Sequence, residues 1–446
     1  MELFVIAILI LFALAISDLI VGVSNDAVNF LNSSIGSRVA PRNVIMIIAS
    51  LGMLAGVTFS SGMMEVARKG IFHPQFFTMP ELMTIFLAVM LTDILLLDLY
   101  NTFGLPTSTT VSIVFELLGA AVAVSLLKLY TDGESFARVV EYINTGKALT
   151  IIFGILLSVV VAFAVGAIVQ FVSRVIFTFD FEKRLRRYGA MWGGVALSSI
   201  TYFILIKGSK GASFITPEIS AFIKGNTWLI LLGSFVVCAV FLQILLNFTR
   251  ISILKVIVLI GTFALAMAFA ANDLVNFIGV PLAGLSSYQV AAATSEPMTT
   301  TMEALAGKVP GNTILLLIAG AIMVITLWVS RKARSVTKTE IRLGRQDEGF
   351  ERFESTVLSQ TIVRLVSSVF DSVGRFFPAP LRSAVNRRFD RSEHRPTPDA
   401  EGDVPSFDLI RASVNLMVAS ALISLATSFK LPLSTTYVTF MVAMGT

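Results

Sequence analysis

The sequence predicts an all-α, polytopic membrane protein with inverted repeats, broken helices or re-entrant hairpins, and about 10–12 transmembrane helices. Three observations predict it: an apolar composition, apolar runs of spanning length along the chain, and two polar motifs that each occur twice. Hydrophobic residues make up 55% of the 446 residues and charged residues 14%, with mean hydropathy +0.82. A soluble chain of this length could not bury so much apolar surface in one core, so the solvent for much of it is lipid.

Apolar stretches run roughly over 2–22, 43–63, 81–99, 109–130, 148–178, 190–206, 227–248, 253–271, 311–330 and 409–427, and an eleventh begins near Thr435. These runs are continuous rather than alternating, and unpaired backbone groups are costly in hydrocarbon, so helices are expected and barrel strands are not. Glu2 follows Met1 with no basic region, and Asn25-Asp26 stand where a cleavage site would need small residues. The first segment therefore reads as a retained helix, not a removed signal. The single cysteine, Cys238, lies in an apolar span and reads as a packing residue that cannot form an intrachain disulfide.

The net charge of +5 is concentrated in loops, so it indicates topology and not nucleic acid. Lys183, Arg184, Arg186 and Arg187, then Arg331, Lys332 and Arg334, fall by span count on the same side as Arg38 and Arg42. The positive-inside pattern puts these loops in the cytoplasm and the N-terminus outside, with the chain multi-pass in a plasma (inner) membrane.

Residues 331–407 break the apolar pattern, with 14 Lys or Arg and 11 Asp or Glu. They read as a cytoplasmic polar insert, followed over 390–405 by a linker. Within the insert, Leu358, Ile362, Leu365, Val366, Val369, Phe370 and Val373 recur at helical spacing, with Arg364 and Asp371 on the other face. One amphipathic helix is expected, lying on the bilayer or the inner face of the protein, with docking of a cytoplasmic regulator as the sharper reading.

Ser24-Asn25-Asp26-Ala27-Val28-Asn29-Phe30 returns as Ala271-Asn272-Asp273-Leu274-Val275-Asn276-Phe277. Phe103-Gly104-Leu105-Pro106-Thr107-Ser108-Thr109-Thr110 returns as Phe429-Lys430-Leu431-Pro432-Leu433-Ser434-Thr435-Thr436. The proline follows the aspartate by 80 residues in copy one and by 159 in copy two, and the difference of 79 is close to the 77 residues of the insert. The organisation expected is a first transport repeat over 1–180, connecting spans with a basic loop over 181–250, the first part of the second repeat over 251–330, the insert over 331–407, and the second part of that repeat over 408–446. Seven spans separate the two Asn-Asp motifs, and an odd number makes the copies enter from opposite faces. In such inverted repeats substrate and coupling ions bind near the midplane.

Asp26 and Asn29, like Asp273 and Asn276, are three apart and share a helix face. A carboxylate inside a bilayer needs a partner or a wet cavity. Neither Asn-Asp motif holds a lysine or arginine, so a bound cation is the expected partner, and oxygen ligands from Asp, Asn, hydroxyls and unwound carbonyls suit Na+. Asn25 and Asn272 are further candidate ligands. The simpler alternative is that Asn side chains glue helices together; duplication with the aspartate kept argues for function.

Leu-Pro-x-Ser-Thr-Thr reads as a helix start, because proline suits a first turn and the following hydroxyls sit beside free backbone N–H groups. Such an end attracts an anion. Two of them could enclose a tetrahedral oxyanion, whereas hydroxyls bonded back to their own helices would be structural only. Two aspartates and a divalent oxyanion sum to −4, which a low-dielectric site holds only with several cations. Asp93 and Glu116 are candidates for a coupling path, although pairing or burial at a helix interface is the simpler expectation. Lys430 reads as a snorkelling lysine. His73 and His394 do not form a metal or acid–base site. The sequence has no nucleophile–base pair, Gly-rich phosphate loop or Cys cluster, so an enzyme or an ATP-driven pump is not expected.

At these motifs the chain resembles the inorganic phosphate transporter (PiT, or PHO4-like) family, which carries Gly-x-Asn-Asp-x-x-Asn and Pro-x-Ser-Thr-Thr in each of two inverted repeats. The resemblance runs from the N-terminus to Thr446. It implies sodium-coupled symport of inorganic phosphate, with no catalytic residues. It implies sodium on Asp26, Asn29, Asp273 and Asn276, and phosphate on Ser108, Thr109, Thr110, Ser434, Thr435 and Thr436. It leaves room for a homodimer.

The family often has His where Val111 and Tyr437 stand, a glycine near Phe115, and Gly or Ala at Ser24. These departures bear on specificity and coupling ion, since related members carry sulfate or use protons. A sulfate or other oxyanion symporter is therefore the alternative, ahead of an anion channel or a binding-only sensor. The second repeat stops soon after its Ser-Thr-Thr helix begins, which predicts a fragment of a longer protein.

Overall fold

The computed structural model describes residues 2–58, 70–211, 216–303, 313–345, 355–375, 378–389, 405–428 and 433–446. Among them the protein is helical, with only two isolated bridges, Phe72–Ile143 and Thr78–Thr301, outside helices and turns. In order the main helices are α1 (Glu2–Asp26), α2 (Val28–Gly36), α3 (Arg42–Thr58), α4 (Met79–Phe103), α5 (Thr109–Thr131), α6 (Thr145–Phe177), α7 (Glu182–Gly211) and α8 (Pro217–Gly225). They continue as α9 (Thr227–Phe248), α10 (Ile253–Ala292), α11 (Thr313–Val329), α12 (Arg331–Leu343), α13 (Val357–Arg375), α14 (Ala379–Arg388), α15 (Leu409–Ser428) and α16 (Thr435–Gly445).

Seven helical spans among the described residues are long and apolar enough to cross a membrane, or eight if the bent pair of α11 and α12 is one span. The number is smaller than the apolar runs suggest because some runs form shorter helices. The 43–63 run is helical to Thr58, with 59–69 outside the described residues, and the run from Thr435 forms an 11-residue helix. The lipid-facing character is plain in α9, where Trp228 is 83% and Phe248 82% exposed. A helix that is apolar all round and packed on one side only has hydrocarbon as its natural surroundings.

The long helix α10 is the centre. It packs against α1, α2, α3, α4, α7 and α15. On α3, Gly52 and Gly56 are four apart and lie against its backbone: a Cβ at Gly52 would stand 2.4 Å from the Phe263 carbonyl, and one at Gly56 2.2 Å from that of Met267. This small-xxx-small face lets two helices touch where no hydrophobic drive separates helix from lipid. Gly22 of α1 likewise lies under the Phe277 ring, 2.0 Å from a would-be Cβ, bringing the two Asn-Asp helices together.

The helix carrying the first Asn-Asp motif scarcely breaks. Ala27, between α1 and α2, keeps helical angles, donates to Val23 O at 3.0 Å and accepts from Leu31 N at 3.1 Å. In copy two the motif lies inside the unbroken 40-residue α10. Unwound carbonyls are therefore not supplied by these helices, and oxygen ligands there come from side chains. The irregular backbone lies elsewhere. The chain bends by 68° between α11 and α12, and it turns at Gly104, whose φ of 63° ends α4 and releases Leu105–Thr107 as an extended lead into α5.

The polar insert begins with α12, which is docked rather than solvated. It packs on α1, α2 and α4 and buries Ala333, Val336, Thr337, Thr339 and Glu340. The predicted amphipathic helix is α13, with Leu358, Ile362, Leu365 and Val366 exposed. Lys430 and His394 lie outside the described residues.

Candidate functional site

The site forms where the middles of α1/α2 and α10 meet the starts of α5 and α16. Ser108 and Ser434 are the N-caps of α5 and α16, accepting from the N–H of Val111 at 3.2 Å and of Tyr437 at 3.1 Å. Their hydroxyls also touch each other at 2.6 Å, so the two helix ends meet head to head. Each end carries the positive pole of its helix.

Against these ends stand the carboxylates of Asp26 and Asp273, both buried and close enough to repel one another. The Thr109 hydroxyl donates to Asp26 Oδ2 at 2.7 Å, and the Thr435 hydroxyl donates to Asp273 Oδ2 at 2.6 Å. Across the two halves, Thr436 donates to Asp26 Oδ1 at 3.1 Å, and Thr110 to Asp273 Oδ1 at 3.2 Å. Asn29 Nδ2 donates to Thr436 Oγ1 at 3.0 Å, and Asn276 Nδ2 to Thr110 Oγ1 at 3.1 Å. Exchanging the copies therefore maps each of these hydrogen bonds onto another. Each aspartate is gripped by one threonine from its own half and one from the other.

All ten residues expected at the site lie in this one constellation. Asn25 has a different place. Its Nδ2 donates to Asn101 Oδ1 at 2.9 Å and to Leu105 O at 3.0 Å, and its Oδ1 accepts from Thr107 N at 2.8 Å. It clamps the extended lead that aims α5, with both functions of its amide spent on neighbours. Asn272 is half-buried beside the site.

Some polar groups escaped sequence reading. Thr439, a turn beyond Thr435, donates to Asn29 Oδ1 at 3.3 Å. Asn32 continues the Asn25–Asn29 stripe by one more turn and bonds to the buried Glu340 of α12. These residues line, with Ser33 and Asn415, a cavity of about 10 Å³ next to Asn29. Asn32 could have been found from its spacing, whereas Glu340 could not, because it sits in a strongly charged stretch.

The arrangement can do two things chemically. Carboxylate, amide and hydroxyl oxygens gathered in a buried place suit a hard monovalent cation. Hydroxyl and backbone donors at two opposed helix starts suit an oxyanion.

A phosphate transporter family model, PHO4, matches residues 22–339. A protein of Pyrococcus abyssi, provisionally named a phosphate permease, is 25% identical over 264 residues, covering 57% of this chain and 61% of the relative. One of Thermococcus kodakarensis with the same provisional name is 26% identical over 271 residues, with 57% and 61% covered. The chain thus matches about three-fifths of the length of these relatives. A solved structure titled a sodium-dependent phosphate transporter superposes with TM-score 0.62 at 18% identity, covering 100% of this chain and 89% of that one, and so shares its fold. With a matching model over most of its length and both motifs duplicated, the chain belongs to the PHO4 phosphate transporter family.

Proposed function

We propose that this protein carries inorganic phosphate across a plasma membrane by symport with sodium. The observation that carries the reading is the exchange-related set of hydroxyl–carboxylate bonds among Thr109, Thr110, Thr435, Thr436, Asp26 and Asp273. A hydroxyl has a single proton, and here it is committed to a carboxylate. Sodium on Asp26 with Asn29, and on Asp273 with Asn276, takes the place of those donors. The freed hydroxyls then turn their protons to the phosphate oxygens between Ser108 and Ser434. Sodium also offsets the carboxylate charge that would repel the anion. The names of the relatives and of the structural neighbour support the same substrate and coupling ion.

In this reading the halves 1–180 and 251–446 are inverted repeats interrupted by the insert, the N-terminus lies outside and residues 331–407 face the cytoplasm. Uptake of labelled phosphate into proteoliposomes, with and without an inward sodium gradient and with labelled sulfate as a parallel arm, tests it. Phosphate uptake that rises steeply with sodium is expected; sulfate uptake at equal rates, or phosphate flux indifferent to sodium, overturns it.

A further inference from the structure

The polar insert carries an uncovered apolar face. Every residue of α13 from Val357 to Ser368 is exposed. Leu358, Ile362, Leu365 and Val366 stand on one stripe of this helix, the least exposed of them at 43%, and Gln360, Arg364 and Ser367 stand on the opposite face. Aliphatic side chains on successive turns make a contiguous patch that is unfavourable in water and marks a contact surface.

The next helix indicates what covers it. Helix α14 packs on α6, and Phe389, just beyond its end, stacks on Phe171 of α6 with ring centroids 5.2 Å apart and planes inclined by 21°. Phe171, Ile168 and Val172 are exposed on a helix long and apolar enough to cross a membrane, so this is a lipid-facing side of α6. Phe171 lies six residues before the end of α6 at Phe177, about 9 Å along the axis. The insert is thus held against the lipid-facing side of a span, close to where that span leaves the bilayer. Three residues join α13 to α14, so the end of α13 is held at the same level.

Charge fits the same place. Helix α14 has three exposed arginines, Arg382, Arg387 and Arg388, and no acid. Helix α7, which starts five residues beyond the end of α6, adds the exposed Arg186 and Arg187, and its Arg184 donates to the Ile176 carbonyl of α6 at 3.2 Å. Lys183, Arg184, Arg186 and Arg187 outnumber the acids of that segment, Asp180 and Glu182. Helix α13 itself is close to neutral, with Arg364 and Arg375 against Asp371. An apolar helix face beside a set of cations, at one edge of the bilayer, is the combination that seats a helix in the plane of an anionic membrane surface. A soluble partner would cover the patch on α13 but would not account for Phe389 on a lipid-facing ring. Inorganic phosphate would answer the arginines and leave the patch bare.

We propose that α13 and α14 form a docking element for anionic phospholipid of the bilayer that the chain spans. Helix α13 sinks its apolar stripe among the acyl chains, and Arg382, Arg387 and Arg388 hold headgroup phosphates. The proposal rests on the membrane-spanning fold and not on what the protein carries.

The full chain with Cys238→Ala, and with a polarity-sensitive fluorophore on a single cysteine in place of Leu365 or of Ser367, tests it in vesicles. These are phosphatidylcholine alone or phosphatidylcholine mixed with phosphatidylglycerol, each with and without brominated acyl chains. In mixed vesicles the label at Leu365 is expected to shift to the blue and to be quenched by brominated chains, and the label at Ser367 to stay in water. Quenching is expected to be much weaker in phosphatidylcholine alone. Each arginine near an anionic surface is worth roughly fivefold, so Arg382→Gln, Arg387→Gln and Arg388→Gln together should lower the docked-to-free ratio roughly 100-fold. High salt should release the label as well, which reads the charge without those variants. A label at Leu365 that emits as in water in mixed vesicles, or that behaves like the one at Ser367, overturns the proposal. So does a blue shift without quenching by brominated chains, which assigns the stripe to a protein surface, or one that grows with the protein-to-lipid ratio, which assigns it to a second copy. Quenching that is equal in both lipids and unmoved by salt overturns the anionic headgroup as the ligand.

Discussion

Asp26 and Asp273 each accept from two threonine hydroxyls, and the proposed function gives those four hydroxyls to the phosphate. Removing one donor to a charged acceptor costs about 2 kcal/mol, roughly 30-fold in an equilibrium. Thr109→Ala and Thr435→Ala are related by exchange of the halves, so each is expected to weaken phosphate binding by a similar factor, read as half-saturating phosphate at fixed sodium. A loss confined to one of them would show that the halves are not equivalent in function. Asp26→Asn and Asp273→Asn are expected to abolish sodium-dependent uptake while the melting temperature holds, because the amide keeps the shape and loses the charge that pairs with sodium. Retained sodium dependence in both would falsify the cation role. At this scale the sequence was informative where residue type and spacing recur, as at Asp26 and Asn29. It was silent at Glu340 and Asp18, whose burial depends on which helix is laid over them.

At the level of elements, apolar runs predicted α4, α5, α9 and α15 to within a few residues, because a span in lipid has few other ways to satisfy its backbone. The Ser-Thr-Thr segments were legible as helix starts for the same local reason: Pro106, and a hydroxyl at each cap, Ser108 and Ser434. Local pattern failed at α12. Its charges mark it as solvated, yet tertiary contact with α1, α2 and α4 buries one face. The contact of α3 with α10 was equally invisible, since a glycine pair in an apolar run says nothing about its partner. Gly56→Val places methyls against the Met267 carbonyl, 2.2 Å from the first added carbon, and forces the helices apart. A loss of about 1 to 3 kcal/mol is expected, seen as a lower melting temperature in detergent, whereas Gly119→Val, where nothing lies within 4 Å, should be tolerated.

For the molecule as a whole, the duplicated motifs pointed before any coordinates to the parts that meet: Asp26 and Asp273 each accept from a threonine of both motif copies. The inverted sense of the copies is an expectation from span counting and is testable. In a chain with Cys238 replaced by alanine, a cysteine at the exposed Asn43 should react with an impermeant reagent from the inside only, and one at the exposed Ser295 from the outside only. Reaction of both from one side would make the copies parallel.

The meeting of Ser108 with Ser434 has a kinetic consequence. These two side chains join segments from opposite halves by a neutral contact of about 1 kcal/mol, so parting them is a small thermal step. Under the proposed symport, strengthening this seam, as with a cysteine pair closed by an oxidant, is expected to stop phosphate uptake while leaving the fold untouched.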